Sequence, residues 1–131
     1  SGPCGHRHLR GPMSWDIFIQ DLPDVPSIND VPATHRPKPI GDRATIIAKI
    51  KEAVPFADEQ DEWIFIRQPG MDISLQLHME GANIVRYVVA HVHSGDQSAA
   101  CVAAILRSLN LRAHDTSTGE LFDGNSLDES L

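Results

Sequence analysis

The sequence predicts an α+β domain in which an antiparallel β-sheet carries two helices on one face, in the order β-α-β-β-β-α-β. Residues 73–80 alternate apolar and polar side chains, which is typical of a strand with one face in water. Two other segments repeat apolar residues at helical spacing, the pattern of a helix with one buried face. These positions are Ile46, Ile47, Ile50 and Val54 in the first helix, and Val102, Ile105, Leu106 and Leu109 in the second.

The first strand is predicted at residues 15–22, where β-branched and aromatic residues dominate and Pro23 follows. Five prolines then lie in residues 23–41. Proline removes an amide donor and fixes the backbone, so this segment is predicted to be an extended, irregular connection. It is long for a compact domain, which indicates either a wrap across the surface or a binding loop.

The first helix is predicted to begin after Asp42, whose carboxylate suits the free amides of a first turn, and to end at Pro55. The acidic residues 58–62 are interpreted as a solvated loop. Residues 63–66 are apolar at every position, which predicts a central strand.

A hairpin is predicted next, with residues 73–80 and 84–93 as its strands and residues 81–83 as its loop. Two registers remain open. One places His78 opposite Arg86, away from the face of His91; a shift of one residue places it opposite Tyr87, on that face.

The second helix is predicted to start with a capping box of Ser94 and Gln97, and Asn110 is expected to take the left-handed conformation at its end. Residues 111–114 form the last predicted strand, and residues 120–122 return from a turn. Residues 124–131 are polar and are expected to be a disordered tail.

Composition sets the expected boundaries. Residues 1–12 are interpreted as a tag, vector or upstream leader, with Met13 as the natural start and residues 13–123 as one domain. The cysteines, Cys4 and Cys101, do not make a disulfide framework, so a reducing cytoplasmic setting is expected. No apolar run approaches the ~20 residues that span a membrane, so no membrane partner is expected.

The chain is acidic, with a formal charge of −7. Setting aside Arg7 and Arg10 of the leader leaves 9 basic against 18 acidic residues, a balance of −9. Such a domain repels phosphate backbones, so nucleic acid is not an expected partner. A basic protein partner would be attracted, although acidity can also serve solubility alone.

Three histidines form a candidate metal site. His91 and His93 are two apart on a predicted strand and therefore point to one face, where neutral imidazoles can share a metal ion. His78, on the neighbouring strand, would be the third ligand. The alternative is that these are ordinary polar residues near the end of a strand, with no metal cofactor.

A second candidate is a small-anion or ligand site at His91, Gly95 and Asp96, where a strand enters the second helix. Free amides at a helix start bind anions, although the carboxylate of Asp96 opposes this. The alternative is a capped helix start without a ligand.

Four blocks of the sequence resemble a known family: MSWDIFIQDLP, RPKPIGDRATIIAKI, HVHSGDQSAACVAAIL and LNLRAHDTSTGELFD. They are similar to a small uncharacterised bacterial family, chiefly proteobacterial. Its members begin MSWD-[IV]-F-x-Q-D and end near D-x-x-T-G-x-x-F. The family shows H-V-R-G-G-D where this chain has residues 91–96, so His93 and Ser94 depart from it. The departure at His93 counts against the metal hypothesis.

No P-loop, dinucleotide fingerprint, nucleophile elbow, HExxH or paired CxxC motif is present, and no catalytic residue is assigned. The sequence therefore favours a non-enzymatic protein-interaction domain, of the immunity or accessory kind. The alternative is a metal- or small-anion-binding domain, or a minor enzyme, centred on His91, His93 and Asp96. A third hypothesis is a homodimer that buries Tyr87 or Val89 of an exposed sheet face.

Overall fold

The computed structural model describes residues 15–131. The expected leader, residues 1–12, and the expected start of the domain at Met13 lie outside the described residues. The described chain has eight strands: β1 Trp15–Gln20, β2 Gly41–Asp42, β3 Asp58–Gln60, β4 Trp63–Gln68, β5 Met71–Glu80, β6 Ile84–Ser94, β7 Arg112–Asp115 and β8 Leu121–Phe122. It also has three α-helices: α1 Arg43–Ala53, α2 Ser98–Leu109 and α3 Gly124–Glu129. The predicted α+β class is confirmed.

All strand pairs are antiparallel, in the order β3-β4-β5-β6-β1-β7-β8, and β2 pairs with β6. β1 pairs with residues 88–92 of β6, and β2 pairs with its residues 84–85, on the side away from β5. The proline-rich segment between β1 and β2 is thus an excursion from one edge of β6 that returns to the same edge. Its 3-10 turn, Ile28–Asp30, lies near the outer strand β8, where the Ile28 amide donates to the Gly119 carbonyl at 2.7 Å.

The hydrophobic core lies between the sheet and the helices. Every second residue of the central strands faces it, because side chains alternate between the two faces of a strand. The largest fully buried side chains are Ile17, Ile19, Ile50, Ile64, Ile66, Ile73, Leu75, Leu77, Ile105, Leu106 and Leu127. Every residue of the two predicted helical stripes is buried. The helices therefore cover one face of the sheet, as predicted.

Several local predictions are also confirmed. Asp42 caps α1 by accepting from the Thr45 amide at 3.0 Å. Asn110 ends α2 with a φ of 56°, in the left-handed region. Residues 81–83 form the loop of the β5–β6 hairpin.

The acidic segment and the strand after it differ from their predictions. Part of the expected loop forms the edge strand β3, in which Glu59 turns toward α1 and pairs with Arg43 at 2.7 Å and Lys51 at 3.6 Å. β4 is therefore the second strand from an edge and is not central. Its run of apolar residues arises because aliphatic side chains face the helices while Trp63 and Phe65 face the other way.

The predicted capping box of Ser94 and Gln97 is wrong. β6 continues to Ser94, and α2 begins only at Ser98, with Gln97 at its N-cap and no capping bond from that side chain. The strand runs on because Ser94 still pairs with Asp72 of β5.

The tail was expected to be disordered from Gly124, but it forms α3. Asp123 and Ser126 make a capping box, with the Ser126 amide donating to the Asp123 carboxylate at 2.8 Å. Leu127 is fully buried against α2, and Arg107 of α2 pairs with Asp128. The polar composition of the tail predicted disorder, but the cap, the buried Leu127 and the pair with Arg107 hold these residues as a helix against α2. None of the described helices has the length and apolar character needed to cross a membrane.

Candidate interaction surface

The face of the sheet turned away from the helices, here called the open face, carries most of the aromatic and histidine side chains. No helix of the described chain packs on it. Its central residues, in register across β4, β5, β6, β1 and β7, are Trp63, Phe65, Ser74, Gln76, His78, Tyr87, Val89, His91, His93, Asp16, Phe18 and His114.

Four rings form a row across the open face from β7 to β5. His114 stacks on Phe18 with ring centroids 5.3 Å apart, and Phe18 stacks on Tyr87 at 5.5 Å. Tyr87 stacks on His78 at 4.4 Å. All four are half-buried, so one side of each ring is covered by its neighbours and the rest remains accessible.

A second group of rings lies toward β4. Trp63 and Phe65 stack with centroids 5.8 Å apart, and the guanidinium of Arg67 lies 4.5 Å from the Phe65 ring centroid, a cation–π contact. Trp63 also contacts the ring of His91 at 6.0 Å. Between the two groups Val89 and Gln76 lie in register with Trp63, and they form a lower floor of smaller side chains.

The predicted metal ligands share the open face but do not come together. A β-bulge between His78 and Met79 resolves the two registers: Glu80 pairs with Ile84, and His78 nevertheless pairs with Tyr87. His91 pairs with Ser74, which lies four residues from His78 along β5. At ~3.3 Å per residue, the backbone positions of His91 and His78 are therefore roughly 13 Å apart along the strand direction.

The other two histidines have separate partners. His91 Nδ1 lies 3.0 Å from the Asp16 carboxylate, and His93 Nε2 lies 3.2 Å from the Ser74 hydroxyl. Within residues 15–131 no group of three His, Cys, Asp or Glu side chains is arranged to hold a metal ion. The three-histidine site predicted from the sequence is therefore not formed.

The predicted ligand site at His91, Gly95 and Asp96 is also not formed as a unit. The side chain of His91 is on the open face, whereas Gly95 packs against the β4–β5 turn. The Gln97 amide donates to the Gly70 carbonyl at 2.9 Å, so it is not available to an anion. A side chain at Gly95 would come within 2.3 Å of that carbonyl oxygen, and its φ of 106° also favours glycine. Gly95 is needed for this close packing.

A second network lies where β1 meets β7, on the helical side. Trp15 Nε1 donates to the buried carboxylate of Asp115 at 2.8 Å. The same carboxylate accepts from the Ser117 amide at 2.8 Å and from its hydroxyl at 2.7 Å. Burial raises the pKa of Asp115, but these donated hydrogen bonds outweigh it and hold the pKa below its ordinary value. The hydrogen bond from Trp15 therefore joins the segment that begins at Trp15 to the turn that begins at Asp115, which are distant in sequence.

His114, next to Asp115 in sequence, has the opposite environment. Burial lowers the pKa of His114, and the nearby Asp115 carboxylate only partly opposes this. Its Nδ1 is buried without a hydrogen-bond partner. The neutral form is therefore favoured in the folded protein.

The helical side has a shallow apolar groove of about 440 Å³ between the end of α1 and the start of α2. Phe56 on its rim is 45% exposed, and Cys101 lies in its wall. Burial raises the pKa of the Cys101 thiol to about 11, so the thiol is protonated and unreactive at neutral pH.

Comparisons with protein-family models, with curated proteins and with solved structures found no match. Three of the stacked rings of the open face, Phe18, Trp63 and Phe65, are not among the site residues predicted from the sequence. A signal was present: on β1 and β4 the aromatic residues alternate with isoleucines, so each strand carries its rings on one face.

Proposed function

We propose that this protein is a non-enzymatic interaction domain that binds a protein partner through the open face. The observation that carries the proposal is the set of half-buried rings on a sheet face that no described helix covers. Aromatic side chains are enriched at protein interfaces because they bury a large area with little loss of conformational freedom.

The edges of the sheet support use of the face. At one edge β3 has only three residues, two of them acidic. At the other edge the proline-rich segment lies against β8, since the Leu121 amide donates to the Pro26 carbonyl and Ser27 bridges Glu120. Short, charged or covered edges discourage strand addition. A partner is therefore expected to pack on the face and not to extend the sheet.

The rival metal- or anion-binding function has weaker support. His78 stacks on Tyr87, and His91 and His93 interact with different residues. The Gln97 amide at the start of α2 already has an acceptor. The three histidines lie on one face of the sheet, which suffices for contact with a protein. A metal site would require them to come together around one ion.

The proposal extends to the kind of interaction domain and its location. Immunity and accessory proteins act by occupying a surface of another protein, which fits a small domain with no catalytic motif. A free, buried Cys101 suits the reducing cytoplasm, where thiols persist.

The test compares two arginine substitutions on opposite faces. Gln76→Arg places a charge on the floor of the open face, and Phe56→Arg places one on the exposed helical side. Affinity capture from cells of the native host should recover a stoichiometric protein with wild type and Phe56→Arg but not with Gln76→Arg. Recovery of no protein by wild type, or equal recovery by both variants, would overturn the proposal.

A further inference from the structure

We infer that the open face is covered by the open face of a second copy of this chain, in a two-fold symmetric dimer. The inference rests on the proposed function and names the partner. Three features carry it: the charge of the face, its shape and its area.

The charge of the open face differs from that of the whole chain. Within the part of the chain that the structure describes, the face and its rim carry three arginines and five carboxylates, a formal balance of −2: Arg67, Arg86 and Arg112, and Asp16, Asp24, Asp58, Asp72 and Glu80. The whole chain has a formal charge of −7. A face with so small a negative balance repels its own copy only weakly, and it does not steer a strongly basic or phosphate-rich partner toward it.

Several of these charges already have partners within the same chain. Arg86 pairs with Glu80 at 2.7 Å, and Arg112 lies 3.5 Å from the Asp24 carboxylate. Such pairs do not need a counter-charge from the partner. What remains for recognition is ring surface and short polar side chains, which a second copy supplies in equal measure.

The shape of the open face offers two different parts for a two-fold symmetric contact. Trp63 and Phe65 form a ridge of stacked rings, and the floor of Val89 and Gln76 lies beside it. Val89 is only 5% exposed, so the floor is low at this position. In an isologous interface each patch meets the same patch of the other copy, so one copy's ridge can occupy the other's floor.

The area approaches that of a stable dimer. β5 and β6 have 10 and 11 residues, or roughly 33 Å at ~3.3 Å per residue. The strands from β4 to β7 are separated by four spacings of about 4.8 Å, or roughly 19 Å. The other three strands are shorter, with 6 residues in β4, 6 in β1 and 4 in β7. At ~3.3 by ~4.8 Å per residue the five strands cover roughly 590 Å² before side-chain relief is added, and stable interfaces bury about 800 Å² per partner. Packed sheets commonly align within about 30° of each other.

Sedimentation equilibrium of the full chain over micromolar concentrations tests the inference. Wild type and Phe56→Arg should dimerise with equal affinity. Gln76→Arg should weaken dimerisation by about 100-fold or more, since a charge at the centre of an interface is left unpaired. Trp63→Ala, which removes the ridge without adding a charge, should weaken it by about 10-fold or more and serves if Gln76→Arg does not fold.

Fluorescence reports on the same surface independently. Of the two tryptophans, Trp15 is buried on the helical side, so changes in iodide quenching report on Trp63. Quenching should fall as the protein concentration rises through the dimerisation range. A monomer at high micromolar concentration, or a dimer that Gln76→Arg and Trp63→Ala leave unchanged, would overturn the inference. A monomer that still captures a different protein through this face would overturn the dimer but retain the proposed function.

Discussion

The two faces of the sheet belong to the same strands but differ in side-chain type. On β4 Ile64 and Ile66 are fully buried beneath the helices, while Trp63 and Phe65 on the other side are half-buried and stack on each other. On the helical side the sheet and the helices bury each other's apolar side chains. The open side offers rigid, amphipathic surface, which is the composition of an interface. The comparison separates what holds the fold together from what is left for binding.

The largest effect expected is on β4, where neighbouring residues face opposite ways. Ile64→Ala should lower the free energy of unfolding by about 2–5 kcal/mol, because it leaves a cavity in the core. Phe65→Ala should cost about 1 kcal/mol, because the ring is only half-buried. Denaturant unfolding measures both. Equal losses would break the distinction between the faces.

The covered side is extended by α3, which a second substitution tests. Leu127→Ala should cost about 2–4 kcal/mol because the side chain is fully buried against α2. Asn125→Ala, at an exposed position of the same helix, is the control and should change stability by less than about 0.5 kcal/mol. A Leu127→Ala protein as stable as wild type would restore the prediction of a disordered tail.

Asp115 and His114 carry the comparison onto two adjacent residues of β7. Asp115→Ala should cost about 1–3 kcal/mol at neutral pH, since it removes the acceptor of the buried Trp15 indole N–H and of the Ser117 amide. The pKa of Asp115 is lower in the folded state, so its contribution is present above the ordinary value of 3.8 and is lost as pH falls through the folded pKa. Acid titration of unfolding free energy should therefore be less steep below about pH 4 in the variant. An unchanged titration would contradict this role.

His114→Phe should have the smallest effect and the opposite sign. It keeps a ring against Phe18 and removes the unpaired buried Nδ1, which should raise the free energy of unfolding by about 1 kcal/mol. Because folding lowers the pKa of His114, the unfolded chain takes up its proton first, and wild-type stability should fall as pH drops below about 6.5. The variant should lose that dependence. Identical pH profiles for the two proteins would count against the assigned environment.

The sequence was sufficient for features that arise from local periodicity. Both helical stripes, the hairpin, the Asp42 cap and the left-handed Asn110 follow from neighbouring residues. It was not sufficient for features set by pairing. The bulge that brings His78 beside Tyr87 depends on the partner strand, and α3 is held against α2 by the burial of Leu127 and by the pair of Arg107 with Asp128.

The candidate site shows the same division. Sequence spacing placed His91 and His93 on one face, which is correct, but it could not give the distance to His78 across two strands. The ring surface was harder still, because its members come from five strands that are distant in sequence. Only the register brings Phe18 next to Tyr87 and Trp63 next to His91.

The central claim, that a protein partner covers the open face, is tested most directly by hydroxyl-radical footprinting. Oxidation of Trp63, Phe65 and Phe56 would be compared between dilute purified protein and concentrated extract of the native host. Trp63 and Phe65 should be protected in the extract, while Phe56 on the helical side, 45% exposed, should be oxidised equally in both. Equal oxidation of Trp63 and Phe65 in the two samples would contradict the account.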